Sequence, residues 1–468
     1  MKEMSKEQGR RRGAVLAITL VLAIVLFILS SGLFIIFNAN VDSYEYTSGR
    51  LRALTAAESG VNLALYGLAE QHQGVPDDTD PYSLPGDSAQ WIDLPGMEEK
   101  VWVVIDPFDG SSIPYSIGGA EIRCRGFYRG YTRDVRVRVS PDYPSRYAYL
   151  INGVFPSELM HDGSVIDGPL HANGTVEFTS SSADSSMDPF VASVSTAQEE
   201  FYFTDAGYSR LPHPPGSKVW VRPYSRHMQG RPYWVTEADT LDFDLMNEWF
   251  SGLRSQASIS GEVISNTRRI IIENDMLLCR NSEDGPVDTI MTAGKDLFWV
   301  MGGARSVYIK CQAPPRDVFT LICSGDICIS GSIQAPVNPD AGLLSLVSLR
   351  NIVIPEDPGS EDWPHPWKID TDRPIQVSCI LAAPRGCIKA ENPVSPDPAL
   401  RFNVRGGTIL NNIGLTGIGD RGYQVRVAWN PLQATMHPPH YPSMGDWIVS
   451  SWEQDPDFGE AVIDDNLF

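Results

Sequence analysis

The chain has 468 residues and a formal net charge of −21, with 42 % hydrophobic and 20 % charged residues, which excludes a disordered chain and indicates two or three folded domains. The 40 glycines and 35 prolines favour turn-rich β structure over helical bundles. Residues 1–13 are basic, so the remainder is even more acidic than the whole. An acidic ectodomain argues against nucleic acid or anionic lipid as its direct partner.

The first predicted element is a membrane helix over residues 14–37, a run without a charged side chain that exceeds the ~20 residues needed to span a bilayer. Arg10, Arg11 and Arg12 end the basic leader, residues 1–13, on one side of this run. The positive-inside rule therefore predicts a single-pass protein of the inner membrane, with a cytoplasmic N-terminus and a periplasmic or extracellular bulk. A cleaved signal peptide is the rival interpretation, but its apolar region is normally only ~7–15 residues long.

A helical period continues beyond the membrane segment. The stripe consists of Leu51, Leu54, Val61, Leu65 and Leu68, with Glu58 in the gap between Leu54 and Val61. We expect this stripe to pack on the strands predicted between residues 100 and 139, which would make residues 38–141 a helix with a small antiparallel sheet. Glu58 is either a solvent-facing residue or a partner for a basic group on a neighbouring molecule.

The segments "RRRGAVLAITLVLAIVLF" and "LRALTAAESGVNLAL" resemble the N-terminus of PilX-type minor pilins and pilin-like pseudopilins. In that family a basic leader ends in glycine, here Gly13 before Ala14, and an "AAEAG"-like motif follows, here Ala56-Ala57-Glu58-Ser59-Gly60. The resemblance implies other pilin or pseudopilin subunits and inner-membrane assembly machinery as partners, and membrane lipid around residues 14–37. Gly13-Ala14 departs from the usual phenylalanine or methionine after the glycine, so leader processing stays open.

Residues 142–452 contain many short β-branched runs closed by Gly, Asn, Asp or Pro turns, such as "VFTLICSGDICISGSIQA". This texture predicts a mainly β ectodomain, an irregular right-handed parallel β-helix, with a β-sandwich as the alternative. One helical interruption is predicted at 240–258, capped at Thr240 or Asp242. Residues 453–468 are predicted to be an acidic flexible tail.

A second resemblance covers about residues 145–454. The stretch "DGPLHANGTVEF", with Gly168, His171, Asn173 and Gly174, is similar to a signature of an uncharacterised domain that often follows PilX-like N-termini. The resemblance implies a surface β-helix and no activity. We expect His171 to make structural hydrogen bonds at a turn near the start of the solenoid.

No catalytic residue, cofactor site or metal site is predicted. His437 and His440 in "HPPH" are separated by an extended Pro-Pro segment, and the seven cysteines show no metal-ligand spacing. The cysteines are expected to be buried apolar residues, with one or two disulfides as the open alternative.

The sequence thus predicts a non-enzymatic, membrane-anchored minor pilin or assembly factor of a type IV pilus or type II secretion-like filament. The alternative is a membrane-tethered carbohydrate-binding or carbohydrate-active β-helix protein, for which acidic residues beside Trp363 and Trp367 would supply the site.

Overall fold

The protein is described from a computed structural model, and it is mainly β with one long N-terminal helix. The described residues are 2–71, 90–94, 98–108, 118–156, 165–178, 190–199, 202–203, 233–235, 238–302, 306–338, 342–356, 363–370, 374–395, 400–418, 421–444 and 447–454.

The N-terminal element is a single α-helix, α1, Lys2–Gln71. It continues without a break through residues 38–46, where the apolar periodicity lapses. At ~1.5 Å per residue its 70 residues extend for about 105 Å. Between residues 19 and 37 its apolar side chains are exposed, Phe27 to 73 %, whereas its last third packs against strands. The helix therefore joins an uncovered apolar rod to a folded head.

The head consists of residues 48–71 of α1 and a five-stranded antiparallel sheet. Its first four strands are β1 (Gln90–Asp93), β2 (Lys100–Phe108), β3 (Gly119–Tyr128) and β4 (Tyr131–Pro141). Arg129 and Gly130 both have positive φ, 46° and 86°, which is the two-residue hairpin geometry that matches strand twist between β3 and β4. Val135, Val137 and Val139 of β4 point to the helix and are fully buried.

The remaining strands form the ectodomain and the end of the chain. They are β5 (Tyr149–Ile151), β6 (Val165–Ala172), β7 (Glu177–Phe178), β8 (Phe190–Thr196), β9 (Tyr202–Phe203), β10 (Tyr233–Val235), β11 (Glu262–Ile264), β12 (Arg269–Glu273), β13 (Met276–Arg280), β14 (Asp288–Met291), β15 (Leu297–Val300), β16 (Val307–Cys311), β17 (Thr320–Cys323), β18 (Ile327–Ile329), β19 (Ser345–Ser348), β20 (Ile352–Ile354), β21 (Ile375–Val377), β22 (Ile380–Ala390), β23 (Leu400–Arg405), β24 (Thr408–Ile413), β25 (Gly417–Ile418), β26 (Arg421–Ala428) and β27 (Trp447–Gln454).

Parallel pairing dominates the ectodomain in three series of strands. Ladder 1 runs β11-β15-β17-β19-β22-β24-β5-β6-β8-β10. Ladder 2 runs β12-β16-β18-β20-β22-β24. Ladder 3 runs β21-β23-β26-β6-β8. Antiparallel pairs β12–β13, β13–β14 and β25–β26 make the pairing mixed, but two packed antiparallel sheets, the sandwich alternative, are not observed here.

The order of strands in ladder 1 differs from their order in the chain. The chain enters the ladder in its middle at β5 and proceeds through β6 and β8 to β10 at one end. It then passes to the opposite end, begins again at β11, and returns through β24 to lie beside β5. We call the β24–β5 contact the seam. His171 consequently lies within a strand, β6, which is third from the β10 end of the ladder, and not at a turn.

The segment between β10 and β11 contains the predicted helix, α2, Phe243–Ala257. Asp242 is its N-cap, and the Asp242 side chain accepts a hydrogen bond from the Leu245 amide at 2.8 Å. The prediction of a helix with this cap is confirmed. The four-residue spacing of Leu241, Leu245, Trp249 and Leu253 predicts the apolar face of this helix, and the prediction is partly correct. Leu241 and Leu253 are buried and Trp249 is half-buried, but Leu245 is 63 % exposed. Phe243, Met246, Phe250 and Ala257 complete the buried face.

Two apolar cores lie on the two sides of ladder 1. One is built from residues of all three ladders and includes Cys323, Ile327 and Ile329 among its fully buried side chains. The other lies between the opposite side of ladder 1 and helix α2, with Ile322 and Val347 facing Phe250. Strands such as β17 and β19 are therefore buried on both faces, which explains why they are apolar without alternation.

The last strand, β27, returns to the head and pairs with β4, Val449 opposite Val139 and Glu453 opposite Arg136. The sequence prediction had assigned residues 447–452 to the ectodomain and residues 453–454 to the acidic tail. The two paired strands, β27 and β4, are about 300 residues apart in the chain. The local sequence of β27 does not show this pairing, because the same composition would suit a strand of the ectodomain or of the head. Residues 455–468 lie outside the described residues.

Candidate functional site

The predicted leader-processing site, Gly13-Ala14, lies inside α1, and side chains up to residue 18 lie outside the described residues. In the described part of the chain, one helix near the N-terminus is long and apolar enough to cross a membrane, as judged by length and composition. A helix of this kind is either a membrane anchor or a signal sequence.

The pilin-like motif contacts the head sheet through its small residues. Ala56 and Ala57 are 1 % and 0 % exposed, and Gly60 is buried against β2 and β3. A Cβ atom added at Gly60 would lie 2.5 Å from Val101 Cγ2 and 3.1 Å from Cys124 Sγ. The motif therefore brings the helix axis closer to the sheet than a larger side chain would allow.

Other small residues extend this contact along the same helix face. Gly49, Ala53, Ala57, Gly60 and Ala64 recur at spacings of three and four residues, and all five are buried. Opposite them, Gly126 on β3 packs directly on the helix backbone at Ala53 and Ala57. The face that packs on the head is thus lined by small residues.

The leucine stripe read from the sequence is only partly correct. Val61 and Leu68 are fully buried, but Leu51 is 62 % exposed, and Leu54 and Leu65 are half-buried. A hydrophobicity pattern predicts that large apolar side chains are buried. On this face of α1, however, the helix backbone lies close to the sheet, and the residues at the contact are alanine and glycine. The exposed leucine belongs to a face that the head does not cover.

Glu58 lies at the edge of the helix–head contact and is half-buried. Within the described part of the chain, its carboxylate has no hydrogen bond or ion pair. It remains available to a group from outside the chain.

The second predicted motif forms a hydrogen-bonded network in the ectodomain. His171 is 3 % exposed, its Nδ1 lies 2.9 Å from Ser195 Oγ, and its Nε2 lies 3.1 Å from Asn173 Oδ1. Burial lowers the pKa of His171, while the bond to Asn173 and the charge of Asp239 act in the opposite direction. Burial thus favours the neutral form of the ring.

The tautomer of His171 follows from the bonds of Asn173. Asn173 Oδ1 accepts the amide N–H of Leu241 at 2.9 Å, and Asn173 Nδ2 donates to the Leu241 carbonyl at 2.7 Å. Because Oδ1 is an acceptor, His171 Nε2 carries the proton and Nδ1 accepts from the Ser195 hydroxyl. Leu241 directly precedes the N-cap of α2, so Asn173 also fixes where that helix begins.

Asparagine side chains continue the network across the seam. Asn173 Nδ2 donates to Asn152 Oδ1 at 2.8 Å, and Asn152 Nδ2 donates to Asn411 Oδ1 at 2.8 Å. Asn173 and Asn152 directly follow β6 and β5, and Asn411 lies in β24; these three strands are neighbours in ladder 1. This asparagine ladder connects two parts of the chain that are 259 residues apart.

The glycines of the motif allow close approach of neighbouring strands. Gly168 has φ +132°, and a Cβ there would lie 2.6 Å from Trp429 Cγ. A Cβ at Gly174 would lie 2.5 Å from the Gly153 carbonyl carbon. All four predicted residues, Gly168, His171, Asn173 and Gly174, therefore have a packing or hydrogen-bonding role beside the seam.

The two histidines of "HPPH" lie on a strap, residues 436–444, which covers ladder 1 next to α2. His437 stacks on Tyr143 with ring centroids 4.3 Å apart. His440 Nε2 lies 2.9 Å from Asp296 Oδ1, and its Nδ1 lies 3.2 Å from Gln256 Nε2. Each ring has its own partners, and the described residues contain no group of three or more side chains placed to hold a metal ion.

Trp363 and Trp367, beside which the alternative prediction places a carbohydrate site, are buried to 2 % and 6 % exposure. They pack on Ile271 beneath the Arg269 guanidinium, which lies 4.1 Å from the Trp363 ring centroid and donates to the Trp367 carbonyl. Burial lowers the pKa of Arg269 to about 10. The indole faces are covered by protein and do not offer a stacking platform.

All seven cysteines are described and all are free thiols. Five are buried, namely Cys124, Cys279, Cys323, Cys328 and Cys379, as expected for small apolar residues. The open alternative of disulfides is not observed.

The sequence reasoning did not find Ser195, Asn152 or Asn411. A signal for the asparagines was present, since each of "YLING", "PLHANG" and "TILNN" carries an asparagine at or near the end of a short strand. Recurrence of one polar residue at the end of successive strands is the pattern expected for a ladder along stacked strands.

Comparisons with known proteins do not assign the chain to a family. No protein-family model matches the chain, and no curated protein sequence matches it. A solved structure that it resembles is the competence-associated pilin ComZ from Thermus thermophilus, with 11 % sequence identity over 87 % of this chain and 98 % of that chain, at a TM-score of 0.31. A TM-score of this size is below the value that indicates a shared fold.

Proposed function

We propose that the chain is a membrane-anchored, pilin-like protein that acts as a minor component or assembly factor of a type IV pilus or type II secretion-like filament. The observation that carries the proposal is helix α1. Its apolar side chains between residues 19 and 37 are exposed, and the last third of the same unbroken helix packs on an antiparallel sheet through the Ala56-Ala57-Gly60 motif.

An exposed apolar helix of this length requires a covering. Side chains such as Phe27, Leu33 and Phe37 are between 65 % and 73 % exposed, far more than a protein leaves to water in one contiguous surface. Lipid covers such a helix before assembly, and neighbouring helices cover it in a filament. Arg10–Arg12 on one side favour a cytoplasmic N-terminus in the inner membrane.

The part of α1 inside the head also keeps an uncovered face. Leu51 and Leu63 are 62 % and 45 % exposed, and the unpaired Glu58 lies beside the packed face. An apolar face with a free carboxylate fits a neighbouring subunit that offers an apolar surface and one basic group. Other pilin or pseudopilin subunits are the proposed partners.

The ectodomain is the part that such a filament would display. We propose that its three parallel ladders form an irregular right-handed parallel β-helix, since successive strands pair in parallel around one enclosed core. We propose that the ectodomain has no catalytic activity. His171 is buried and has both ring nitrogens engaged, and the two predicted tryptophans are covered.

The test is site-specific photo-crosslinking of the full chain in cells that carry a pilus or secretion apparatus. A photo-reactive phenylalanine at Leu51 or Leu63 is expected to capture another pilin-like subunit. The same amino acid at Ile259, which is 88 % exposed beyond α2, is the matched control and is expected to capture none. Equal capture from all three positions, or capture from Ile259 alone, would contradict the proposal.

Membrane topology is tested separately. A fluorescent protein that folds only in the cytoplasm is expected to stay dark when fused after Phe468 and to fluoresce when fused before Met1. The reverse pattern would contradict the proposed orientation.

A further inference from the structure

Ladder 3 has an outward face that carries three arginines. In β23, Phe402 and Val404 point inward at 0 % and 1 % exposure, so Arg401 and Arg405 point outward and are exposed. Arg426 is exposed on the neighbouring strand β26, which pairs with β23 in parallel.

These arginines differ from paired arginines of the head sheet. On the head sheet, Arg125 pairs with Asp134 at 2.6 Å and Arg138 with Glu121 at 3.1 Å. Among the residues that the structure describes, Arg401, Arg405 and Arg426 have no hydrogen bond or ion pair. Three unpaired cations on one face are unusual in a chain with a net charge of −21.

Strand register fixes the spacing of the three positions. Arg401 and Arg405 are four residues apart on one strand, or about 13 Å at ~3.3 Å per residue. Arg426 is the register partner of Asn403, which lies midway between them. With strands ~4.8 Å apart, Arg426 is about 8 Å from each of the other two positions.

Amide side chains fill the outward positions between the arginines. Gln376 on β21 is the register partner of Asn403, and Gln424 is the register partner of Arg401. No carboxylate occupies an outward position of the described strands β21, β23 and β26. The face thus combines forked cation donors with amides that both donate and accept hydrogen bonds.

We propose that this surface, which we call the arginine face, binds an acidic polysaccharide that carries carboxylate groups, such as a chain of uronic acid residues. The guanidinium groups would take the carboxylates in bidentate pairs, and the amides would bind the sugar hydroxyls. This binding site is separate from helix α1 and goes beyond the proposed place in a filament.

The surface fits a glycan better than other polyanions. Single-stranded nucleic acid is normally held by aromatic side chains on which bases stack, and the outward positions of these three described strands hold none. The net acidity of the chain does not cancel the local field, because exposed charges farther apart than about 8 Å are largely screened at physiological ionic strength.

The experiment is calorimetric titration of the purified full chain in detergent micelles with polygalacturonate. The test variant is Arg401→Gln/Arg405→Gln/Arg426→Gln. The matched control is Arg254→Gln/Arg350→Gln/Arg385→Gln, which removes the same charge from exposed positions elsewhere. Each ligand is measured at low and moderate salt, and thermal unfolding verifies that both variants fold.

We expect the test variant to bind polygalacturonate about tenfold more weakly than the unmodified chain, because three exposed ion pairs of modest strength together contribute about this much affinity. We expect the control variant to bind as the unmodified chain does. Neutral dextran is expected not to bind, and polyglutamate and a single-stranded oligonucleotide are expected to bind more weakly than polygalacturonate. Equal loss in both variants, no binding of polygalacturonate, or equal binding of polyglutamate or the oligonucleotide would each overturn the proposal.

Discussion

Gly126 of β3 and Ala53 of α1 touch backbone to backbone. A Cβ atom added at Gly126 would overlap the carbonyl oxygen of Ala53 and lie 2.6 Å from the amide nitrogen of Ala57. Backbone atoms of a helix cannot rotate away as a side chain can. Any larger residue at position 126 must therefore push the helix off the sheet.

Gly126→Ala is expected to destabilise the head by about 2–3 kcal/mol, the cost of overpacking a close contact. The measurement is the urea concentration at which Cys124, buried beneath the same contact, becomes open to alkylation. Gly67→Ala is the control, because nothing lies within 4 Å of a Cβ at that helical position, and it is expected to stabilise α1 by about 0.5–1 kcal/mol. Equal midpoints for the two variants would contradict the close contact.

The helix–head contact shows what the sequence could predict. The existence of the helix and of a packed face followed from periodicity, and Val61 and Leu68 were correctly placed. The rest of the face was not, because hydrophobicity cannot tell a leucine that meets protein from one that is left uncovered, as Leu51 is. Alanine and glycine carry a weak hydropathy signal although they make the closest contact.

Helix α2 offers a second test. Phe250 is fully buried between α2, the strap and ladder 1, and its ring centroid lies 5.2 Å from that of Tyr441. Phe250→Ala is expected to cost about 3–5 kcal/mol, measured by thermal or urea unfolding. Leu245→Ala, at a position on the same helix that is 63 % exposed, is expected to change stability by less than about 0.5 kcal/mol. The opposite ranking would restore the stripe predicted from sequence.

The order in which strands pair in ladder 1 could not be predicted from the sequence, for a different reason. Short strands and turns are local features, and the sequence located many of them. Which strand lies beside which is a long-range property, so nothing near Tyr149 indicates that β5 pairs with β24, 260 residues away in sequence.

The buried His171 predicts a pH dependence. Since burial lowers its pKa below the ordinary value of 6.5, the unfolded chain binds a proton at a higher pH than the folded chain does. The contribution of His171 is thus fully present above pH 6.5 and is lost as the pH falls from there towards the folded pKa. Thermal unfolding between pH 7.5 and pH 5 is expected to show this loss in the unmodified chain.

Removing the histidine isolates its effect. His171→Gln is expected to lower stability at pH 7.5 by about 1–2 kcal/mol through lost hydrogen bonds, and to reduce the further loss on acidification. His365→Gln, which changes an exposed histidine, is expected to keep the pH dependence of the unmodified chain. If both variants showed the same pH profile, His171 would not be the buried neutral group.

Buried thiols predict resistance to alkylation. Burial raises the pKa of Cys124, Cys279 and Cys328 to about 12 and that of Cys323 to about 11, so almost no thiolate is present at pH 8. Mass spectrometry after iodoacetamide treatment is expected to show these four residues unmodified in the folded chain. All seven cysteines are expected to react in denaturant, and rapid native labelling of any of the four would contradict their burial.

The final prediction concerns the seam, where Asn152 Nδ2 donates to Asn411 Oδ1. Asn152 directly follows β5 and Asn411 lies in β24. These two strands are neighbours only if the beginning of the ectodomain chain lies beside a strand near its end. A double-mutant cycle with Asn152→Ala and Asn411→Ala is expected to give a coupling energy of about 1 kcal/mol, the net value of one such hydrogen bond. The control cycle pairs Asn152→Ala with Asn266→Ala, next to β11 at the far end of the ladder and about 29 Å away over six strand spacings. These two changes are expected to be additive. A coupling near zero for Asn152 and Asn411, or one equal to the control, would mean that β5 and β24 do not lie side by side.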